Sequence, residues 1–375
     1  MRVALAAVWA VILASGIIQV ANALQTDLLS VRAGLEQWPA LLIGAVMSSY
    51  YIGYSSGPLL SPRVIGRFGH VATILAGASV AGGAILLSGF LVSGGAWALL
   101  RIVSGLALSV TFVACESWIN DRSENRVRGR VFGTYMVVQM AGMTLAQLLF
   151  AAGDPGTLAL FALTAGIFAL GGLPIFFAAA KAPLKAPPSP LGLIRLFRLS
   201  PLGAPATVLA GISWSIVFTF GPVYAQRAGF GAGGVGLYMA LAIVAGAVLQ
   251  FPLGWISDLI GRRMTIGLMA ACAVAASLFG YWANDQAMIF KEIAAAAIGG
   301  LVFPLYALSV AHTNDSVSPQ ARVPAAAGLV LIFGLGSIIG PIATGWFIAM
   351  LGPAGFFALL ALVMAMGVTA AAATR

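Results

Sequence analysis

Long apolar runs fill the chain from one end to the other, interrupted only by short stretches bearing charge, glycine or proline. A run of ~20 apolar residues crosses a hydrocarbon core of ~30 Å as a helix. Inside that core the backbone must satisfy its own hydrogen bonds, so helices are the element to expect. Twelve spans are predicted. The first six are Val3–Gln25, Trp38–Leu60, Val71–Ser93, Ala96–Trp118, Val131–Ala152 and Gly156–Ala179. After a break follow Ala204–Gln226, Gly233–Ile256, Thr265–Asn284, Ala287–Ala311, Pro324–Met350 and Pro353–Ala373. An even number of crossings returns both termini to one side.

Composition agrees with the pattern. The 375 residues are 61% hydrophobic and 8% charged, against about 25% charged in soluble domains, and the mean hydropathy is +1.03. The first run is followed by Ala21-Asn22-Ala23, an Ala-x-Ala cleavage pattern. Its apolar stretch exceeds the ~7–15 residues of a signal peptide, so it is expected to remain as a span.

The net charge of +9 would suit nucleic acid if it were clustered on a soluble surface, but it sorts by topology instead. With the first terminus in the cytoplasm, fifteen of the 19 Lys and Arg residues fall on that side: Arg2, Arg63, Arg67, Arg122, Arg126, Arg128, Arg130, Lys181, Lys185, Arg195, Arg198, Arg262, Arg263, Arg322 and Arg375. Arg32 and Arg227 lie opposite, and Arg101 and Lys291 within spans. This positive-inside bias predicts a multi-pass membrane protein with both termini cytoplasmic. Cys115 and Cys272 fall in or near helices of opposite halves, which argues against a structural disulfide.

An internal repeat organises the spans. Gly69 in "IGRFGH" and Gly261 in "SDLIGRR" are 192 residues apart (261 − 69), and the same offset pairs Arg130 with Arg322, Gly142 with Gly334 and Gly44 with Gly236. Landmarks sharing one spacing imply a duplication, here six spans followed by six in the same orientation. The predicted organisation is a six-helix bundle over 1–179, a cytoplasmic linker over 180–203 and a second six-helix bundle over 204–375. The linker carries "PPSP" and "LGLIRLFRL", the latter readable as a short interfacial helix or as a basic tether.

These features resemble the major facilitator superfamily: an all-α, twelve-span, 6+6 parallel repeat with Gly254, Asp258, Gly261, Arg262 and Arg263 after the second span of a half. The stretch Cys115–Leu149 further resembles the YcaD-like bacterial permeases. The resemblance covers essentially the whole chain. It implies that the motif, with Arg67, Gly69, Glu116 and Arg130, forms a cytoplasmic latch between the bundles. Gly254 and Gly261 would permit close approach and a tight turn, and Asp258 would face a helix N-terminus. The first-half copy departs from the pattern, with Pro62, Gly66, His70 and Val71 in place of the glycine, acid and arginine pair.

Ionisable residues in spans are functional candidates by default. Arg101, followed by Gly105, resembles the fourth-span arginine that faces the cavity in proton-coupled members; the competing reading is a side chain reaching the headgroups. Glu116 lies fifteen residues on, ~22 Å along a helix, and is expected to pair with Arg63, Arg67, Arg126 or Arg130 in a cytoplasmic charge network, with a proton site as the competing reading. Asp27 is placed at the end of span one, as a proton carrier or an exposed loop acid. Lys291 and Glu292 sit at a span edge. Ser15, Gln19, Asn22 and Thr26 share one face of span one, and Tyr135, Gln139 and Gln147 lean together on span five. Trp214, Phe218, Pro304 and Tyr306 add aromatic and helix-breaking features on spans seven and ten. By the resemblance, spans one, four, seven and ten line the cavity, so the substrate and proton candidates are Arg101, Asp27, Gln19, Asn22, Gln139, Trp214 and Tyr306. The glycines of "GLGSIIGPIATG" in span eleven are expected to pack on span two, with Tyr50 and Tyr54 facing them.

The reading is a monomeric secondary transporter of a small, partly apolar solute, working by alternating access in the lipid bilayer, proton-coupled, with efflux preferred to uptake. A passive facilitator of a small organic anion and a non-transporting sensor are the rival readings. No phosphate-binding Gly-x-x-x-x-Gly-Lys-Ser/Thr loop occurs, and no metal-ligand or nucleophile–base constellation points to an enzyme, a metal, a cofactor or nucleic acid.

Overall fold

The computed structural model describes residues 2–123, 128–178, 182–183, 190–318 and 321–374; nothing is said of the side chains of 2–7, 128–129, 178 and 323. Arg126, Lys181, Lys185, Arg375 and the first three residues of the "PPSP" stretch therefore lie outside what is described. Among the described residues the elements are all helices: α1 Arg2–Leu35, α2 Ala40–Phe90, α3 Gly94–Arg122, α4 Arg128–Ala152, α5 Leu158–Ala178, α6 Leu193–Leu199, α7 Gly203–Arg227, α8 Ala232–Ile260, α9 Arg262–Ala283, α10 Met288–Asp315, α11 Arg322–Leu351 and α12 Gly355–Ala373.

Eleven of these are long and apolar enough to cross a membrane. The 51-residue α2 would measure about 75 Å if straight, more than twice a hydrocarbon core. It is broken at Gly69, whose φ of 77° and ψ of 168° leave the helical region. Two crossings joined at that glycine bring the total to the twelve expected. Gly261, 192 residues on, has φ 88° and ψ 147° between α8 and α9. Backbone of this kind is open in practice only to glycine, so the repeat preserves the turn even where it loses the acid and the arginines.

The duplication is equally visible in helix ends. Leu35 closes α1 and Arg227 closes α7, while Ala40 opens α2 and Ala232 opens α8, each pair at the same 192-residue offset. Packing repeats as well: α1 meets α4 in the first half as α7 meets α11 in the second, and α2 meets α11 across the halves as α8 meets α4. Both cross-half contacts use repeat-related glycines. A Cβ on Gly44 would collide with the Pro341 carbonyl oxygen, and one on Gly236 would press on that of Gln147. Gly34 against the Gln226 side chain and Arg227 donating to the Trp38 carbonyl add to the same seam. All of these lie on the side of the protein remote from the termini.

Two expectations are corrected. Span two does meet span eleven, but through Gly44, Ser48 and Ser55 rather than Tyr50 and Tyr54: Ser48 Oγ donates to the Ile338 carbonyl at 2.7 Å, and Gly334 abuts Ser55. The two tyrosines turn instead toward α3 and one another. Span one does not end at Gln25; α1 continues ten residues further because its polar segment is buried against α4. The "LIRLFRL" stretch forms the short helix α6.

Candidate functional site

Arg101 sits two turns into α3 and is 2% exposed. Its place follows from glycines: a Cβ on Gly53 of α2 would strike the Ile102 carbonyl, and one on Gly105 of α3 would strike that of Tyr50. The two backbones therefore run close enough to lay the guanidinium over the Tyr50 ring, 4.4 Å from its centroid. Tyr50 in turn donates its hydroxyl hydrogen to Asn22 Oδ1 at 3.1 Å. Asn22 also receives the Gln25 amide at 3.1 Å and donates to Gln19 Oε1 at 3.4 Å. The structure thus joins Arg101, Asn22 and Gln19 through Tyr50. Arg101 Nε and Nη1 are buried and carry no hydrogen-bond partner among the described residues. Unmatched buried donors are costly, which sets this guanidinium apart from the arginines at the protein surface.

Two carboxyl groups flank this network. Asp27 is fully buried, neither at the helix end nor in a loop; Gln147 Nε2 of α4 donates to its Oδ2 at 2.7 Å. Among the described residues the other oxygen, Asp27 Oδ1, lacks a partner, as does Ser30 Oγ one turn on. Glu116 receives the Tyr135 hydroxyl at 3.2 Å, and Gln139 Nε2 donates to that hydroxyl oxygen at 3.1 Å. Of the arginine partners expected for Glu116, Arg63, Arg67 and Arg130 make no ion pair among the described residues, and Arg126 lies outside them. The first three are exposed at the helix ends, and Arg67 lies over the neighbouring Phe68 ring. Among the described residues both acids are thus held by neutral donors.

The second half faces this polarity with rings. Trp214 of α7 lies 4.7 Å from Phe303 of α10 and 5.4 Å from Phe218, and Tyr306 stands 5.0 Å from Phe333 of α11. Phe218 and Phe303 stack at 5.2 Å. Trp214, Phe218 and Tyr306 are legible from sequence, whereas Phe303 and Phe333 are not, since one more phenylalanine among 21 carries no signal. Tyr50 meets Arg101 and Asn22 rather than span eleven; the glycines at which α2 and α3 run close, Gly53 and Gly105, carry no side chain to signal it. Lys291 is 9% exposed in the first turn of α10, beside a half-buried Glu292.

The glycine–acid–arginine motif is built around Arg262. It pairs with Asp315 at the end of α10 at 2.6 Å and with Asp258 at 3.2 Å, and donates to Ser257. Arg263 caps the last turn of α12, donating to the carbonyls of Ala371 at 2.7 Å and Ala372 at 3.2 Å. Every one of these contacts stays inside the second half. Gly254 is not a close-approach position, as a Cβ there would meet open space. Asp258, with a side chain 67% exposed, serves Arg262 rather than a neighbouring helix end.

Comparison with known proteins agrees with this architecture. The Major Facilitator Superfamily model matches residues 3–290 and 203–374. An uncharacterised MFS-type transporter, YcaD, of Escherichia fergusonii is 26% identical over 312 residues, covering 82% of this chain and 79% of the relative. A similar transporter of Enterobacter sp. is 27% identical over the same shares. Among solved structures, the nucleoside transporter NupG superposes with a TM-score of 0.79 at 15% identity over 98% of both chains. A bacterial homologue of the human lysosomal transporter Spinster, inward-facing and unoccupied, gives 0.74 at 16% identity, covering 98% of this chain and 93% of that one. At such identities the likeness is one of fold. Such proteins move solutes rather than convert them, and the chain is not an enzyme. Twelve crossings, a 192-residue repeat with its paired glycine turns and a family match along nearly the whole length lead to one assignment: this protein belongs to the major facilitator superfamily.

Proposed function

We propose that the protein is a proton-coupled secondary transporter of a small, partly apolar solute, binding it between the Arg101–Tyr50–Asn22 network of the first half and the Trp214–Phe303 cluster of the second. The observation that carries this reading is Arg101: buried, stacked on Tyr50 and left with two idle donors. A solute with an acceptor at one end and an apolar body would satisfy the arginine and the rings together. Coupling is assigned to Asp27 and Glu116, acids on spanning helices that no cation pairs with among the described residues, so that a proton is the natural counter-charge. The chain would act as a monomer in a bacterial inner membrane with its termini in the cytoplasm, as the distribution of lysine and arginine suggests.

The seam between the halves on the side remote from the termini supports alternating access, in which that seam and its counterpart open in turn. The test is proton flux in proteoliposomes enclosing a pH dye, challenged with a panel of drugs, nucleosides, sugars and organic acids. A solute-dependent pH change is expected, its sign reading direction, with export anticipated. In Asp27→Asn the pH change should vanish while counterflow of labelled solute continues. Solute uptake with no pH change in the native protein would replace this reading with passive facilitation.

A further inference from the structure

A second binding place lies on the flank of the protein, away from the polar network. Where α2 and α11 pass one another beside Ser55, a groove of about 390 Å³ opens, walled by Ile52, Ser56 and Leu59 on one side and Leu331, Leu335 and Ile338 on the other. Gly192 and Leu193, leading into α6, close its end. The same two residues continue into a hollow formed with Ile194, Arg195 and Arg198. Groove and hollow are therefore continuous through Gly192 and Leu193.

Helix α6 is anchored by Leu196, which is fully buried with Leu329 and Ile332 of α11 and closes on Gly328. That anchoring turns Ile194, 73% exposed, and Phe197, 41% exposed, outward. Arg195 and Arg198 stand three residues apart, neighbours on one helix face. Among the described residues neither makes an ion pair or hydrogen bond. Apolar side chains and free guanidiniums at the end of a membrane bundle are the composition of a helix lying at the headgroup level.

We propose that this groove and hollow form a binding site for an anionic phospholipid of the leaflet on the terminus side. One acyl chain lies between α2 and α11, and the phosphate rests on Arg195 and Arg198. Water does not fill a groove with such walls, since an ordered water needs two to four polar partners. Acyl chain is the solvent on this flank. The guanidinium pair adds selectivity, because it can bind phosphate oxygens in a planar, two-pronged fashion and basic residues near a membrane surface favour anionic lipid. One wall belongs to the first half, the other to the second, and the end to the segment joining them. A bound lipid thus touches every part whose relative position changes during a transport cycle.

The test uses the full-length protein, purified and delipidated in detergent, titrated with phosphatidylglycerol or phosphatidylcholine of identical chains and counted by native mass spectrometry. Phosphatidylglycerol should be retained about tenfold better than phosphatidylcholine, and Arg195→Gln with Arg198→Gln should remove that preference. Leu335→Trp, which fills the groove, should lower phosphatidylglycerol retention several-fold; Ser56→Phe fills it from the other wall should the first variant not fold. An undiminished preference in the double variant would overturn the proposal. So would native retention in both groove-filling variants, because the arginines would then be collecting headgroups with no site behind them.

Discussion

The two halves share a backbone plan and differ in the chemistry they turn toward one another. Adding the 192-residue offset to Asn22 gives Trp214, and adding it to Thr26 gives Phe218. The face of α1 that holds the amide network is thus the face of α7 that holds the stacked rings. One copy became a hydrogen-bonding surface around a buried cation, and the other an apolar wall. The lesson is that duplication preserves where a side chain points but not what it does. In this fold the preserved features are backbone ones: the positive-φ turns at Gly69 and Gly261 and the close approaches at Gly44 and Gly236.

The largest expected effect breaks the polar half. Arg101→Ala should reduce transport by more than about a hundredfold, measured as solute-driven flux in proteoliposomes. Arg101→Lys should rescue little of it, because a lysine offers no planar group to stack on Tyr50 or to donate two parallel hydrogen bonds. Recovery of most activity by lysine would mean that charge alone matters and that the stacked geometry is incidental.

Next comes the aromatic half. Trp214→Ala removes three ring contacts at once and leaves a cavity, with an expected loss of about 3 kcal/mol in stability and a roughly tenfold weaker affinity for the apolar end of a solute. Thermal unfolding in detergent and competition between solutes differing only in ring content separate the two effects. Equal weakening toward ring-bearing and ring-free solutes would make the cluster packing and nothing more.

Tyr50→Phe sharpens the division further. The ring under Arg101 remains, while the hydroxyl donated to Asn22 is lost, so a few-fold decrease in flux is expected, about 1 kcal/mol. An effect as large as that of Arg101→Ala would show that the amide chain, rather than the arginine, organises the site. The smallest change should come from Asp258→Asn. The pair with Arg262 is exposed, such pairs contribute ~0–1 kcal/mol, and Asp315 remains to hold the arginine. A shift in melting temperature of less than about 2 °C is expected; a larger one would point to a state in which Asp258 meets the other half.

Much of this was readable in the residues alone, for identifiable reasons. Apolar runs broken by charge define spans, and repeated glycines define the duplication, because lipid leaves the backbone few alternatives. What escaped depended on polar groups satisfying one another. Gln25, Thr26 and Asp27 look like a helix end in isolation; buried against Gln147, 120 residues away, they are interior. Glu116 looks like one member of an ion pair among nearby arginines, yet its partner is Tyr135 on α4. Sequence spacing locates a side chain on its own helix, but its partner is chosen by tertiary packing. The close run of α2 beside α3 was missed for the same reason, since Gly53 and Gly105 carry no side chain that would advertise it.

The seam between the halves, built where Gly44 meets a carbonyl of α11 and Gly236 a carbonyl of α4, has an evolutionary consequence. Its closest contacts set a glycine of one half against a main-chain carbonyl of the other, so exchanges on the polar and aromatic faces do not enter them. The asymmetry of Asn22 and Trp214 can therefore arise without loosening the seam, and the chemistry of the two faces can drift under selection while the contact between the halves stays the same. A lineage that keeps those glycines keeps its closest approaches, and remains free to rewrite the surfaces beside them.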